Sequence, residues 1–164
     1  HYAILMRMGI YSDKVHDVKD IPDGATIAIP NDPTNGGRGL LLLQRAGLLK
    51  LKDGVGMKAT PKDVVDNPKH LKFKELEAAQ LPRSLADVDA AAITMNYVMS
   101  GGLDVKKQNI FLEPKDEPLA VMIIAARNKD KDKEAYKAFV KAYQSEAVKK
   151  FIADKYKGTI EPAF

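Results

Sequence analysis

The sequence predicts an α/β fold, a largely parallel sheet whose strands are joined by crossover helices. Three observations carry this expectation. Stretches of strand character alternate with stretches of helix character along the whole chain, the pattern of βαβ units. Ala25-Thr26-Ile27-Ala28-Ile29-Pro30 is short and almost wholly apolar, as expected of a strand covered on both faces. A strong helix start follows it directly: Asn31, Asp32 and Thr34 have capping side chains, and Pro33 suits a first helical turn.

Taken in order, residues 1–8 read as a strand that opens with no preceding turn or cap, which predicts a chain beginning inside a fold. Asp23-Gly24 is a turn, and residues 25–30 are the strand already described. The helix after it continues through the apolar run 40–43 and stops at Gly47. Thr60-Pro61-Lys62-Asp63 predicts the start of another helix. Residues 71–76 set Leu71, Phe73 and Leu76 against Lys72, Lys74 and Glu75, an imperfect strand alternation. A helical turn is expected at 85–88, a strand of small residues at 90–94, and a short helix at 95–100 ended by Gly101-Gly102. Residues 119–126 predict a continuous apolar strand. Helices at 131–143 and 145–157 close the chain, the second capped by Ser145. Lys115-Asp116-Glu117-Pro118 is the best place for a crossing between lobes.

The bulk numbers agree with an ordered protein. The 164 residues suffice for one core, or for one lobe and part of another, and 45% hydrophobic with 29% charged residues argues against disorder. Lys and Arg total 26 against 22 Asp and Glu. The densest basic region, residues 129–157, is interleaved with Asp130, Asp132, Glu134, Glu146 and Asp154. That reads as a solvated helical face, so no nucleic-acid partner is expected. The absence of cysteine excludes disulfides, thiolate zinc sites and a cysteine nucleophile within these residues. No stretch approaches the ~18 apolar residues of a membrane span. No basic-then-apolar leader opens the chain, so any signal peptide is expected upstream or already removed.

Catalysis finds no support. His1, His16 and His70 are far apart and lack carboxylates at metal-ligand spacing, and there is no G-x-S-x-G elbow. The carboxylates lie on polar stretches that read as exposed, whereas acid–base work needs burial to shift a pKa. Gly54-Val55-Gly56-Met57-Lys58-Ala59 matches a dinucleotide pattern, but Asp53-Gly54 is more simply a turn and Pro61 follows where a long helix would be needed. Neither an enzyme nor a cofactor is expected.

Two segments carry the candidate binding chemistry. In residues 30–38 a strand feeds a tight turn and a helix N-terminus, where free N–H groups and the helix dipole favour an anion. Gly36 and Gly37 would let a ligand approach the backbone, and Arg38 could offer a bidentate fork to a carboxylate. The same residues also fit a plain cap, with Arg38 paired to a surface acid. Ala92-Ile93-Thr94-Met95-Asn96-Tyr97 likewise runs from a strand end into a helix, the edge where ligands collect in open α/β sheets. Asn96 offers both a donor and an acceptor there, or simply a cap.

Several segments together resemble the NlpA/MetQ family of methionine-binding lipoproteins. They are Met8-Gly9-Ile10-Tyr11-Ser12, residues 21–35 with Pro30-Asn31-Asp32-Pro33-Thr34-Asn35, residues 48–56, residues 77–85 with Gln80-Leu81-Pro82-Arg83-Ser84-Leu85, and Ala142-Tyr143-Gln144-Ser145. The resemblance runs from about Met8 to the end. It implies a type II periplasmic-binding-protein-like α/β fold, with one nearly complete lobe plus part of the other. On that expectation residues 1–11 are a crossover strand from the incomplete first lobe. Residues 12–114 are the second lobe, and 115–164 are a return segment and C-terminal helices of the first.

The resemblance further implies an extracytoplasmic solute-binding protein, periplasmic or at the cell surface and lipid-anchored at full length. It would capture methionine or a related amino acid for an ABC importer, with the transporter permease as partner. By motif position, Arg38 resembles the residue that clamps the ligand carboxylate. Asn35 at the same turn would assist, and Asn96 resembles a family asparagine at the head group. Two departures stand out. Val121 occupies the place of a ligand-contacting asparagine, which leaves a related amino acid or a methionine-containing dipeptide open as the ligand beside methionine itself. The family's opening portion is absent, which predicts weak or no binding by these 164 residues alone and pairing with a second chain. A ligand-sensing module of the same fold, without a transport role, is the alternative.

Overall fold

The computed structural model describes residues 1–164, which form two compact units: His1–Arg7 with Pro114–Phe164, and Met8–Glu113. Strand β1 (Tyr2–Leu5) belongs to the first unit. The second holds β2 (Met8–Tyr11), β3 (Thr26–Pro30), helix α1 (Pro33–Arg45), β4 (Lys50–Leu51), β5 (Val64–Asp66) and β6 (Lys72–Leu76). It continues with α2 (Leu81–Ser84), β7 (Ala90–Thr94), α3 (Met95–Ser100), α4 (Val105–Gln108) and β8 (Asn109–Leu112). The chain then returns to the first unit with β9 (Val121–Ile123), α5 (Glu134–Tyr143), α6 (Glu146–Tyr156) and β10 (Glu161–Pro162).

The larger unit is built on a five-stranded sheet of order β6-β3-β7-β2-β8. β3 runs parallel to β6 and β7, and β2 runs antiparallel to β7 and β8, so β2 is the one reversed strand. Its core is continuous. Met8, Ile10, Ile27, Ile29, Leu40, Leu43, Ala90 and Ala92 are all fully excluded from solvent. Full burial of each large aliphatic side chain contributes about 1.5–3 kcal/mol. The small residues of β7 have a packing reason: a Cβ on Gly39 would lie 3.3 Å from the Ala92 Cβ, so helix and strand approach closely.

The start of α1 follows from its sequence. Asp32 is the extended N-cap, its Oδ1 accepting from Asn35 N at 2.9 Å, and Pro33 opens the first turn. Such a cap contributes about 1 kcal/mol. Gly47 just beyond the helix end takes φ +77°, the left-handed conformation that glycine adopts at no steric cost.

Several expectations need correction. No α-helix follows Thr60. A single turn of 3₁₀ helix covers Pro61–Asp63, after which the β-branched Val64 and Val65 enter β5 and pair with β4. The Thr60 hydroxyl and N–H both donate to Asp63 Oδ2, at 2.7 and 2.8 Å, and hold that carboxyl below the usual range. The helical turn expected at 85–88 is present, with Asp87 N and Val88 N both donating to Ser84 O, but it continues a short helix at Leu81–Ser84 that was not expected, where Pro82 suits the first turn and the Ser84 hydroxyl donates to Leu81 O. The apolar run 119–126 yields only the three-residue β9. Pro118–Ala120 instead form a 3₁₀ turn capped by Glu117, which accepts from Leu119 N.

The division of the chain also differs from the expected 1–11, 12–114 and 115–164. The opening strand breaks after Leu5: β1 pairs with β9 and β10, whereas β2 is buried along its whole length between β7 and β8. Residues 8–11 therefore belong to the larger unit and Pro114 to the smaller one.

The smaller unit has a three-stranded antiparallel sheet of order β10-β1-β9 and two helices. Ser145 caps α6 by accepting from Val148 N, and Gln144 Nε2 donates to Tyr2 O at 2.8 Å. Its buried apolar residues are few: Ala3, Leu5, Ala120, Ile152 and Ile160. Tyr2, Ile123, Tyr136, Phe139 and Phe151 are exposed, and α5 buries no residue although its apolar side chains recur at helical spacing.

Candidate functional site

The parallel pairing of β3 with β7 brings the carboxyl ends of both strands to one edge of the larger unit's sheet. Helix α1 leaves from β3 at that edge and α3 leaves from β7, the arrangement in which open α/β sheets hold ligands. The reversed strand β2 begins at the same edge, because Met8 pairs with Thr94, the N-cap of α3.

Arg38, one turn into α1, points into this edge and is only 6% exposed. Its Nε donates to Glu113 Oε1 at 2.7 Å and its Nη2 to Glu113 Oε2 at 2.5 Å, a bidentate charge-assisted pair. Glu113 is 3% exposed and follows directly on β8. Its Oε2 also accepts from Met8 N at 2.6 Å, while its own N–H donates to Met8 O at 3.0 Å. The expected surface acid opposite Arg38 is thus a buried one. Glu113 contradicts the expectation that the carboxylates are exposed: it closes the ends of two paired strands and must be inside to do so.

Asn35 is half-buried at the tip of α1. Its N–H and side-chain Nδ2 both donate to the Asp32 carboxylate, so its carbonyl oxygen is the group it can offer a ligand. The Asp32 carboxylate itself sits at the helix N-terminus, where it takes the Asn35 N–H. The two glycines are also accounted for by the chain itself. A Cβ on Gly36 would lie 2.8 Å from Pro30 O, and one on Gly37 would overlap the Met57 carbonyl. The close approach they permit is made by the chain's own backbone.

Asn96 is exposed in the first turn of α3 and its amide makes no hydrogen bond within the chain. Arg38, Asn35 and Asn96 thus share one sheet edge, linked through Glu113, Met8 and Thr94, with no direct hydrogen bond among the three. Glu113 is the residue that sequence reading missed. The available signal was an acid ending a mostly apolar strand, Asn109-Ile110-Phe111-Leu112-Glu113. No group of His, Asp and Glu is arranged to hold a metal ion, and no helix is long and apolar enough to cross a membrane.

Comparison with known proteins agrees with this architecture. The chain is 52% identical over 140 residues to the D-methionine-binding lipoprotein MetQ of Salmonella typhimurium, covering 84% of this chain and 51% of that protein. It therefore spans about half the length of the curated relatives it matches. A nutrient binding protein from Burkholderia cenocepacia, solved bound to methionine, is 48% identical with a TM-score of 0.93, over 99% of this chain and 68% of that one. A periplasmic substrate-binding protein of an ABC transporter from Coxiella burnetii is 40% identical with a TM-score of 0.90, over 99% and 68%. The NlpA lipoprotein family model matches residues 2–164, and the chain belongs to that family.

Proposed function

We propose that this chain is part of an extracytoplasmic solute-binding protein that captures methionine, or a closely related amino acid, for an ABC importer. The observation that carries the reading is the likeness over 99% of the chain to the methionine-bound Burkholderia protein. The sheet edge supplies suitable chemistry. Arg38 is the clamp for the ligand carboxylate, and the amide oxygens of Asn35 and Asn96 are acceptors for the ammonium group. The role is binding and release rather than bond breaking. A transporter permease is the macromolecular partner, and a lipid anchor would hold the full-length protein at the periplasmic or outer face of the membrane.

A second polypeptide is a further proposed partner. The smaller unit leaves Tyr2, Ile123, Tyr136 and Phe139 exposed, large apolar side chains that a second polypeptide would cover. Titration of methionine into the full-length receptor and into the 164-residue chain tests both proposals. Saturable binding is expected for the receptor. The isolated chain should bind at least roughly tenfold more weakly, equivalent to about 1.4 kcal/mol, and should sediment as more than a monomer. Equal affinity with a monomeric chain would remove the need for a second polypeptide, and no binding by the receptor would remove methionine as ligand.

A further inference from the structure

Glu113 does more than neutralise a buried arginine. It is the last residue of the larger unit and Met8 is the first, so the two passages of chain out of that unit start from this pair. Main-chain and side-chain hydrogen bonds tie Glu113 to both sides of Met8, and the same carboxylate fixes the plane of the Arg38 guanidinium. Arginine held side-on by one carboxylate can meet a second only through the donors that the first does not take, and only in that plane. A flexible arginine would have to be ordered by each incoming ligand, at a cost in side-chain entropy.

We propose that Glu113 is a positioning residue for ligand recognition: it holds the Arg38 guanidinium ready for the ligand carboxylate and anchors it to the two strands through which the chain leaves the unit. The proposal rests on the reading of Arg38 as the carboxylate clamp. It requires the Arg38–Glu113 pair to persist when ligand binds, so that the ligand adds to the pair and does not displace Glu113.

The full-length receptor provides the test, with methionine and methionine amide, which lacks the carboxylate, as paired probes. Wild type should prefer methionine strongly. Glu113→Gln keeps the side-chain shape but loses the charge and one acceptor. It should shrink that preference about tenfold or more, and adding it to Arg38→Ala should cause little further loss. A fall in thermal midpoint with the preference intact, or additive losses, would overturn the positioning role. A wild type that does not distinguish the two probes would refute the clamp itself, a separate failure that takes this proposal with it. Because the Glu113→Gln variant can fail to fold, a second measurement does not depend on it and reads wild type, with Arg38→Lys used only for assignment. The Arg38 Nε–H, assigned by its loss in Arg38→Lys, should stay protected from hydrogen exchange when methionine binds. Loss of that protection on binding would show displacement of Glu113 and overturn the proposal.

Discussion

Arg38→Ala is expected to remove most of the methionine affinity of the full-length receptor and to destabilise it at the same time. Truncating one partner of a charge-assisted pair with the ligand carboxylate should weaken binding by roughly 2–4 kcal/mol. The same change strands the Glu113 carboxylate, 3% exposed, without its guanidinium. Breaking a buried ion pair in this way costs about 3–5 kcal/mol of stability. That is a large share of the roughly 5–15 kcal/mol available to a domain, so affinity must be measured well below the unfolding transition. Arg38→Lys separates the two effects: it keeps the charge but not the planar fork, and should be milder in both. A titration showing unchanged methionine affinity in folded Arg38→Ala would leave the Arg38–Glu113 pair a purely structural one.

The second large effect is expected at Gly37. Alanine is the better helix former by up to about 1 kcal/mol, so Gly37→Ala should stabilise an isolated helix. Here a Cβ would overlap the Met57 carbonyl oxygen, lie 2.7 Å from its carbon and 3.3 Å from Ala59 O. Those are backbone atoms and cannot rotate away. Overpacking of this kind costs about 1–3 kcal/mol or more and should outweigh the helix gain. Gly39→Ala, whose Cβ would meet only side-chain atoms at 3.3 Å and beyond, should be clearly milder. Urea unfolding midpoints rank the variants. A Gly37→Ala protein more stable than wild type would mean that the segment around Met57 does not rest on α1.

These two residues also show what was legible in the sequence. The local rules worked where the cause is local. Asp32 and Pro33 mark the start of α1, Gly47 its end, Ser145 the start of α6, and Gly101 and Gly102 the end of α3. The apolar β3 and the small-residue β7 announced a two-sided sheet, and its carboxyl edge is where Arg38, Asn35 and Asn96 lie. What failed depended on distant partners. That Gly36 and Gly37 permit close approach was readable, but the occupant of that space, Met57, is 20 residues further along the chain. Glu113 is buried because Met8, 105 residues away, and Arg38 need its carboxylate, and its place at the end of a mostly apolar strand hints at burial without naming either partner. The run 119–126 has strand composition, yet Pro118 turns its first residues and β1 pairs with only part of the rest.

A structure of the full-length receptor with methionine bound tests the central claim most directly. The expected result places the ligand carboxylate within hydrogen-bond distance, about 3 Å, of the Arg38 guanidinium, with Glu113 still paired to the same side chain. A methionine whose carboxylate is held by other residues, with Arg38 satisfied by Glu113 and out of reach of the ligand, would contradict the account.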